Sequence, residues 1–171
     1  PRETSDSVGA FANEHDRFRQ LFEQLPDAAA DVEFREGEPI VHEVNATFEE
    51  TFGYDEPAAV DEPLNDLIVP EEHASEAERL DERTIWNGYE TAEVERLTAD
   101  GRRTFLFRGF SYRQDGSECG FAIYTDISEQ IEQRRRLQVL HRVLRHNLRN
   151  EMTVIAGYAD MLTEGDLAVE S

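Results

Sequence analysis

Two histidines stand five residues apart in HRVLRHNLRNEM, residues 141–152, and the residues around them separate their roles. At about 100° per residue, Leu137, Leu140, Leu144, Leu148, Met152, Ile155, Ala159 and Leu162 fall within roughly 60° of one line on a helix. His141 lies inside that stripe, whereas His146 lies opposite it, among Arg142, Arg149 and Thr153. One imidazole is therefore expected against a partner helix and the other in solvent. An imidazole on a polar face between arginines is available for chemistry or for docking, because its pKa near neutrality leaves a large neutral fraction at working pH. Periodicity alone favours the plainer reading, a solvated histidine on an ordinary helix.

The elements that must position such a helix come from the rest of the chain. Its 171 residues suffice for one domain of ordinary size plus an appended element. No apolar run reaches the roughly 18 residues that a membrane span needs. The first residues, PRETSDSVGAFAN, lack the apolar core of a signal peptide, so a cytoplasmic location is expected. The single cysteine, Cys119, leaves no internal disulfide and no cysteine-rich zinc site, and suits small core filler in a strand. His15 and His42 have no Cys or His neighbours at metal-ligand spacing, and no metal is expected.

The net charge is −21, and all 17 basic residues are arginine. Self-repulsion of this size burdens a compact state in dilute buffer. Molar salt shortens the Debye length to roughly 3 Å and removes most of that cost. Lysine-free, acid-rich composition is thus expected of a protein adapted to high internal salt. Residues 129–149 depart from the trend, with six Arg against two acids, while the remainder holds 11 Arg against 36 acids. That balance argues against nucleic-acid binding, and the short basic segment fits a ring of arginines around His146 better than a grip on phosphate backbone.

In chain order, residues 1–13 read as a flexible lead-in. Phe18, Leu21, Phe22 and Leu25 recur at helical spacing until Pro26. Strands follow at 28–34 and 40–44. Asn45 stands at an N-cap position before ATFEETFGY, and Gly53 is placed to end that helix. Short helical pieces are expected at 57–60 and 62–68, then a longer helix from Glu71 to about Trp86 with Ala74, Ala77 and Leu80 on one side. Glu71, Glu72, Glu76, Glu78, Asp81 and Glu82 read as its solvated face. Three strands, 90–99, 102–112 and 118–126, are joined at the hairpin signals Asp100-Gly101 and Asp115-Gly116. The predicted class is α+β, a five-stranded antiparallel sheet with short helices on one face and a long C-terminal helix.

NATFEETFGYDEPAAVDEPLNDLIVPEEH at 45–73 and NGYETAEVERLTADGRRTF at 87–105, with the exit tripeptide Asp126-Ile127-Ser128, resemble a PAS domain. The resemblance covers about Phe18 to Ser128, and the domain is bounded at 14–128. It implies sensing through a small molecule held between sheet and helices. Haem-binding members carry a histidine on the long helix; His73, beside Glu71 and Glu72, reads instead as a solvated residue. Flavin photoreceptor members use a cysteine in an N-C-R-F context, which is missing here. Trp86 and Tyr89 are expected in the core. The sequence demands no cofactor, and a ligand in the PAS pocket remains open.

HNLRNEM at 146–152 resembles the phospho-acceptor box of sensor histidine kinases, in the variant of haloarchaeal members: His146, Leu148, Arg149 and Asn150 match. The resemblance implies that His146 accepts the γ-phosphoryl of ATP and passes it to a response regulator. It also implies that Asn150 helps hold a dephosphorylating water and that Arg149 steers phosphate or partner. Asn147 stands where an acid is usual; it can hydrogen-bond but cannot take a proton. Residues 129–171 then read as signalling helix plus the first helix of the dimerisation domain, ending just past Gly165-Asp166 where the family's hairpin turns. The ATP-binding domain would lie outside this chain, which alone is expected to be inactive. Neither a glycine-rich dinucleotide motif nor a P-loop occurs. The apolar stripe predicts a homodimer through the helix. The competing reading is a ligand-binding or protein-interaction module whose helical tail only dimerises.

Overall fold

The computed structural model describes residues 17–142, 144 and 145. The chain divides into two units, Pro1–Ser128 and Glu129–Ser171. In the first, a helix over 17–23 (α1) precedes the strands Ala28–Arg35 (β1) and Glu38–Val44 (β2). Helices Ala46–Phe52 (α2), Glu56–Ala59 (α3) and Leu64–Ile68 (α4) follow. A 3-10 turn at Glu71–His73 leads into Ala74–Asn87 (α5). Strands Tyr89–Thr98 (β3), Gly101–Gln114 (β4) and Ser117–Asp126 (β5) complete a five-stranded antiparallel sheet in the order β2-β1-β5-β4-β3. Residues 128–142 are helical (α6). No helix among the described residues is long and apolar enough to cross a membrane.

Strand alternation decides the two faces of the sheet. Ala28, Ala30 and Val32 pair across β5 with Tyr124, Ala122 and Gly120. Phe105 and Phe107 pair with Val94 and Ala92 of β3. These positions form the inner face, on which Phe48, Phe52, Ala59, Leu64, Ile68 and Leu80 pack from the helices. Phe52 is the hub: its ring lies 4.6 Å from Phe48, 5.5 Å from Phe105 and 5.6 Å, edge-on, from Tyr124. Each fully buried phenylalanine contributes about 1.5–3 kcal/mol of transfer free energy.

Two local devices bring the helices to this face. Asn45, fully buried, caps α2 as its position predicts. Its Oδ1 accepts from Phe48 N and from Ala29 N, both at 2.9 Å, while its Nδ2 donates to the carbonyls of Asp27 and Phe22. One side chain thereby ties α1, β1 and α2 together. At the far end, Gly109 lets β4 approach α5, because a Cβ there would meet Thr84 Oγ1 at 2.6 Å.

Candidate functional site

A polar cluster lies where α4, α5 and β3 converge. Arg96, alternating inward with Val94 on β3, is 2 % exposed, and Asp81 of α5 is 9 % exposed. Arg96 Nη1 donates to the Glu95 carbonyl at 2.8 Å and lies 3.7 Å from Glu76 Oε1; its Nε meets no hydrogen-bond partner among the described residues. Asp81 Oδ2 accepts from Asn65 Nδ2 of α4 at 2.7 Å. Burial pushes the Asp81 carboxyl up to about 7, against the opposing pull of the Asn65 hydrogen bond and the Arg96 charge. Burial likewise pushes the neighbouring Tyr124 hydroxyl up to about 12. A largely buried carboxyl with a single neutral donor is costly to ionise, so this group changes charge near neutrality. Beside it opens a cavity of about 590 Å³ between the β1–β2 turn, α4 and α5, with Asp81 and Asn65 in its wall.

The outer sheet face carries a second cavity, of about 600 Å³, between α1 and the β4–β5 hairpin. Phe18, Tyr112 and Phe121 wall it, the last two stacked at 5.4 Å. Asp31 sits in it with His42 Nδ1 at 3.3 Å and the Tyr112 hydroxyl at 3.4 Å. Burial raises the Asp31 carboxyl, and these two neighbours offset part of the rise.

The end of β5 is fastened to β4. Ile127 N donates to Thr104 O at 3.0 Å, and Thr104 N donates to Ser128 Oγ at 3.1 Å. Asp126 accepts from Ser128 N at 2.9 Å and from Arg103 Nη1 at 3.2 Å. Burial acts to raise the Asp126 carboxyl, but these bonds outweigh it and hold it below the usual carboxylate range.

Residues 16–87 match the sequence family described as PAS domain. The fold agrees: the PAS domain of a protein from Colwellia psychrerythraea superposes with a TM-score of 0.57 at 20 % identity, covering 67 % of this chain and 97 % of that one. The sheet unit has the PAS fold. The PAS domain of an HTR-like protein from Haloarcula marismortui aligns with a TM-score of 0.59 at 18 % identity over 72 % of this chain and 99 % of that one. An RNA-binding light-oxygen-voltage receptor aligns with a TM-score of 0.61 at 18 % identity over 80 % of this chain and 39 % of that one. No curated protein matches the sequence.

Within this unit the sequence reading needs three corrections. Asp81, read as part of a solvated face, is buried, because it follows Ala77 by four residues and precedes Thr84 by three, and so falls inside the buried stripe. Trp86 and Tyr89 are not core: Trp86 is 89 % exposed, and Tyr89 is exposed on the sheet's edge strand with its ring 5.0 Å from Phe110. Cys119 points to the outer face, half-buried in the second cavity, where burial raises its thiol pKa. His73 is partly exposed, with Nδ1 3.5 Å from Glu76. His146, Asn147, Arg149 and Asn150 lie outside the described residues.

Proposed function

We propose that this chain is the sensory and phospho-acceptor part of a two-component histidine kinase, and that a ligand-binding PAS domain controls the reactivity of His146. One observation carries the reading. The last PAS strand is hydrogen-bonded at Asp126–Ser128 to β4 and runs on into α6, and α6 leads in sequence to HNLRNEM at 146–152. Leu137 and Leu140 of α6, with Leu144 two residues past its end, are 54–58 % exposed, an apolar row that suits a parallel partner helix. Glu129–Gln133 and Glu132–Arg136 side-chain pairs support the helix from within.

In this reading a neutral His146 nitrogen attacks the γ-phosphorus in line. An N–P bond forms as the bond to ADP breaks, and catalysis comes mostly from positioning and charge stabilisation. Asn147 orients the ring, Arg149 steers phosphate, and Asn150, one turn on, holds the water that later dephosphorylates the regulator. ATP is supplied by a separate catalytic domain. Signal transfer is a shift in α6 packing between two copies. The acid-rich, lysine-free composition fits a halophilic cytoplasm, and stability rising with KCl concentration would follow from it.

The test mixes the chain with a purified kinase ATP-binding domain and labelled ATP. Acid-labile, base-stable label on the wild type that vanishes in His146→Gln is the expected result. Absence of label on the wild type would instead favour a PAS module whose helix only dimerises. A Leu140→Asp variant should turn the dimer into a monomer in sedimentation, and an unchanged mass would exclude this dimer face.

A further inference from the structure

Among the described residues, Arg96 Nε and Glu76 Oε1 are both buried without a hydrogen-bond partner, and the two side chains are neighbours across the α5–β3 contact. Arg96 Nη1 lies 3.7 Å from Glu76 Oε1, a separation that gives Coulomb attraction but no hydrogen bond. Arg96 is 2 % exposed, and its guanidinium spends one donor on the carbonyl of the adjacent Glu95. A buried guanidinium ordinarily grips a carboxylate through two parallel N–H bonds. This one is seated on no carboxylate, although α5 offers it two. Glu76 is the first, and the second is Asp81, five residues further along the helix, with which Arg96 makes no ion pair.

The two carboxyls differ in what else can serve them. Glu76 stands in the first turn of α5 with its side chain 37 % exposed, and its Oε2 lies 3.5 Å from His73 Nδ1. Without Arg96 it would keep water and His73. Asp81 is nine-tenths buried and accepts only from the neutral Asn65 of α4. Facing it are Glu38 of β2, Glu78 of α5 and the Tyr124 hydroxyl of β5, so Arg96 of β3 is the positive charge among its neighbours. A protonated Asp81 needs no cation, and Arg96 then belongs with Glu76. A buried carboxylate without a charge partner is far costlier than a hydrated one, and the unused Arg96 Nε–H is a donor close at hand. Burial pushes the Asp81 carboxyl up to about 7, which brings this change of state into the neutral range.

We infer that Arg96 is a two-position contact at the α5–β3 junction: it faces Glu76 while Asp81 is neutral and turns to Asp81 when that carboxyl ionises, giving up Glu76. The start of α5 is thereby held to β3 in one protonation state and let go in the other. The device goes beyond the proposed function and involves no step at His146. The experiment follows the Arg96 Nε–H by NMR in the full chain between about pH 5.5 and about pH 8.5, either side of the Asp81 transition. At the acid end its nuclear Overhauser contacts should run to the Glu76 side chain. At the alkaline end those contacts should be lost and replaced by contacts to the Asp81 β hydrogens, with the midpoint shared by the Asp81 carboxyl carbon. In Asp81→Asn the Glu76 contacts should persist across the whole range. The wild-type measurement decides alone if that variant does not fold. Unchanged Arg96 contacts at the two ends in the wild type, or the same exchange of contacts in Asp81→Asn, would each overturn the inference.

Discussion

Asn45 and Asp81 are both buried polar side chains at the helical face of one sheet, yet the protein treats them in opposite ways. Asn45 uses both ends of its amide: two backbone N–H groups are satisfied at Oδ1 and two carbonyls at Nδ2. Asp81 has one neutral donor, a cavity beside it and a buried arginine that it does not bond directly. A saturated polar group deep in a core specifies one arrangement of elements. A buried carboxyl with one neutral donor is costly to ionise, so its charge depends on pH. The first group fixes the arrangement of the fold, and the second adds a pH-dependent charge to it.

Asn45→Ala should produce the largest effect. The substitution removes the α2 side-chain cap, leaves Phe48 N with only the residue-45 carbonyl and takes the Oδ1 partner from the buried Ala29 N–H, for a loss of roughly 2–4 kcal/mol. Denaturant unfolding checks this through a lower midpoint at unchanged slope; a loss below about 1 kcal/mol would mean water replaces the amide. Asp81→Asn should act in the other direction. The folded carboxyl keeps its proton up to about 7, whereas the ordinary value is 3.8. Between these limits the folded state holds the extra proton, so the group's contribution to stability is full in acid and falls as pH rises toward 7. At pH 8 the variant should therefore be the more stable by roughly 2–4 kcal/mol, a gain that shrinks to little at pH 4. The difference between the two unfolding curves isolates Asp81 from carboxylates such as Asp126 that shift the other way. A difference independent of pH would mean that the buried carboxyl ionises as freely as an exposed one.

The same contrast explains what could be read in advance. Asn45, Gly53 and the two hairpin glycines are local signals, each tied to a backbone conformation that few residues adopt, and the structure uses them as caps and turns. Sheet class followed from such signals in sequence order. Asp81 and Arg96 were illegible because an acid in an acid-rich helix and an arginine in a charged strand look like solvated residues. Their burial is decided by how α5 and β3 meet. The helical spacing Ala77, Leu80, Asp81, Thr84 held the clue for Asp81, but composition argued louder. Trp86 shows the reverse error: an aromatic at a helix end suggested core, and the last turn of α5 leaves it in solvent. Phospho-acceptor chemistry was read from the motif at 146–152, which lies outside the described residues.

The smallest expected effect concerns the joint at the end of β5, where the polar groups are neither buried like Asn45 nor starved like Asp81. Arg103 and Asp126 are each more than a third exposed, and their bond is one of several at this joint. Solvent screening limits such a pair to about 0.2–1 kcal/mol, so Arg103→Gln should leave global unfolding almost unchanged. The Ile127 N–H, donated to Thr104 O, is the sensitive reporter, because it lies between Asp126 and Ser128 on the path from β5 into α6. Loosening Asp126 should speed exchange of that amide by about twofold to fivefold, while amides in the middle of β5 keep their rates. A uniform increase along β5 would instead show that the joint and the sheet open as one unit. The PAS domain would then pass to α6 only whole-domain motions, rather than the local shift on which the proposed signalling depends.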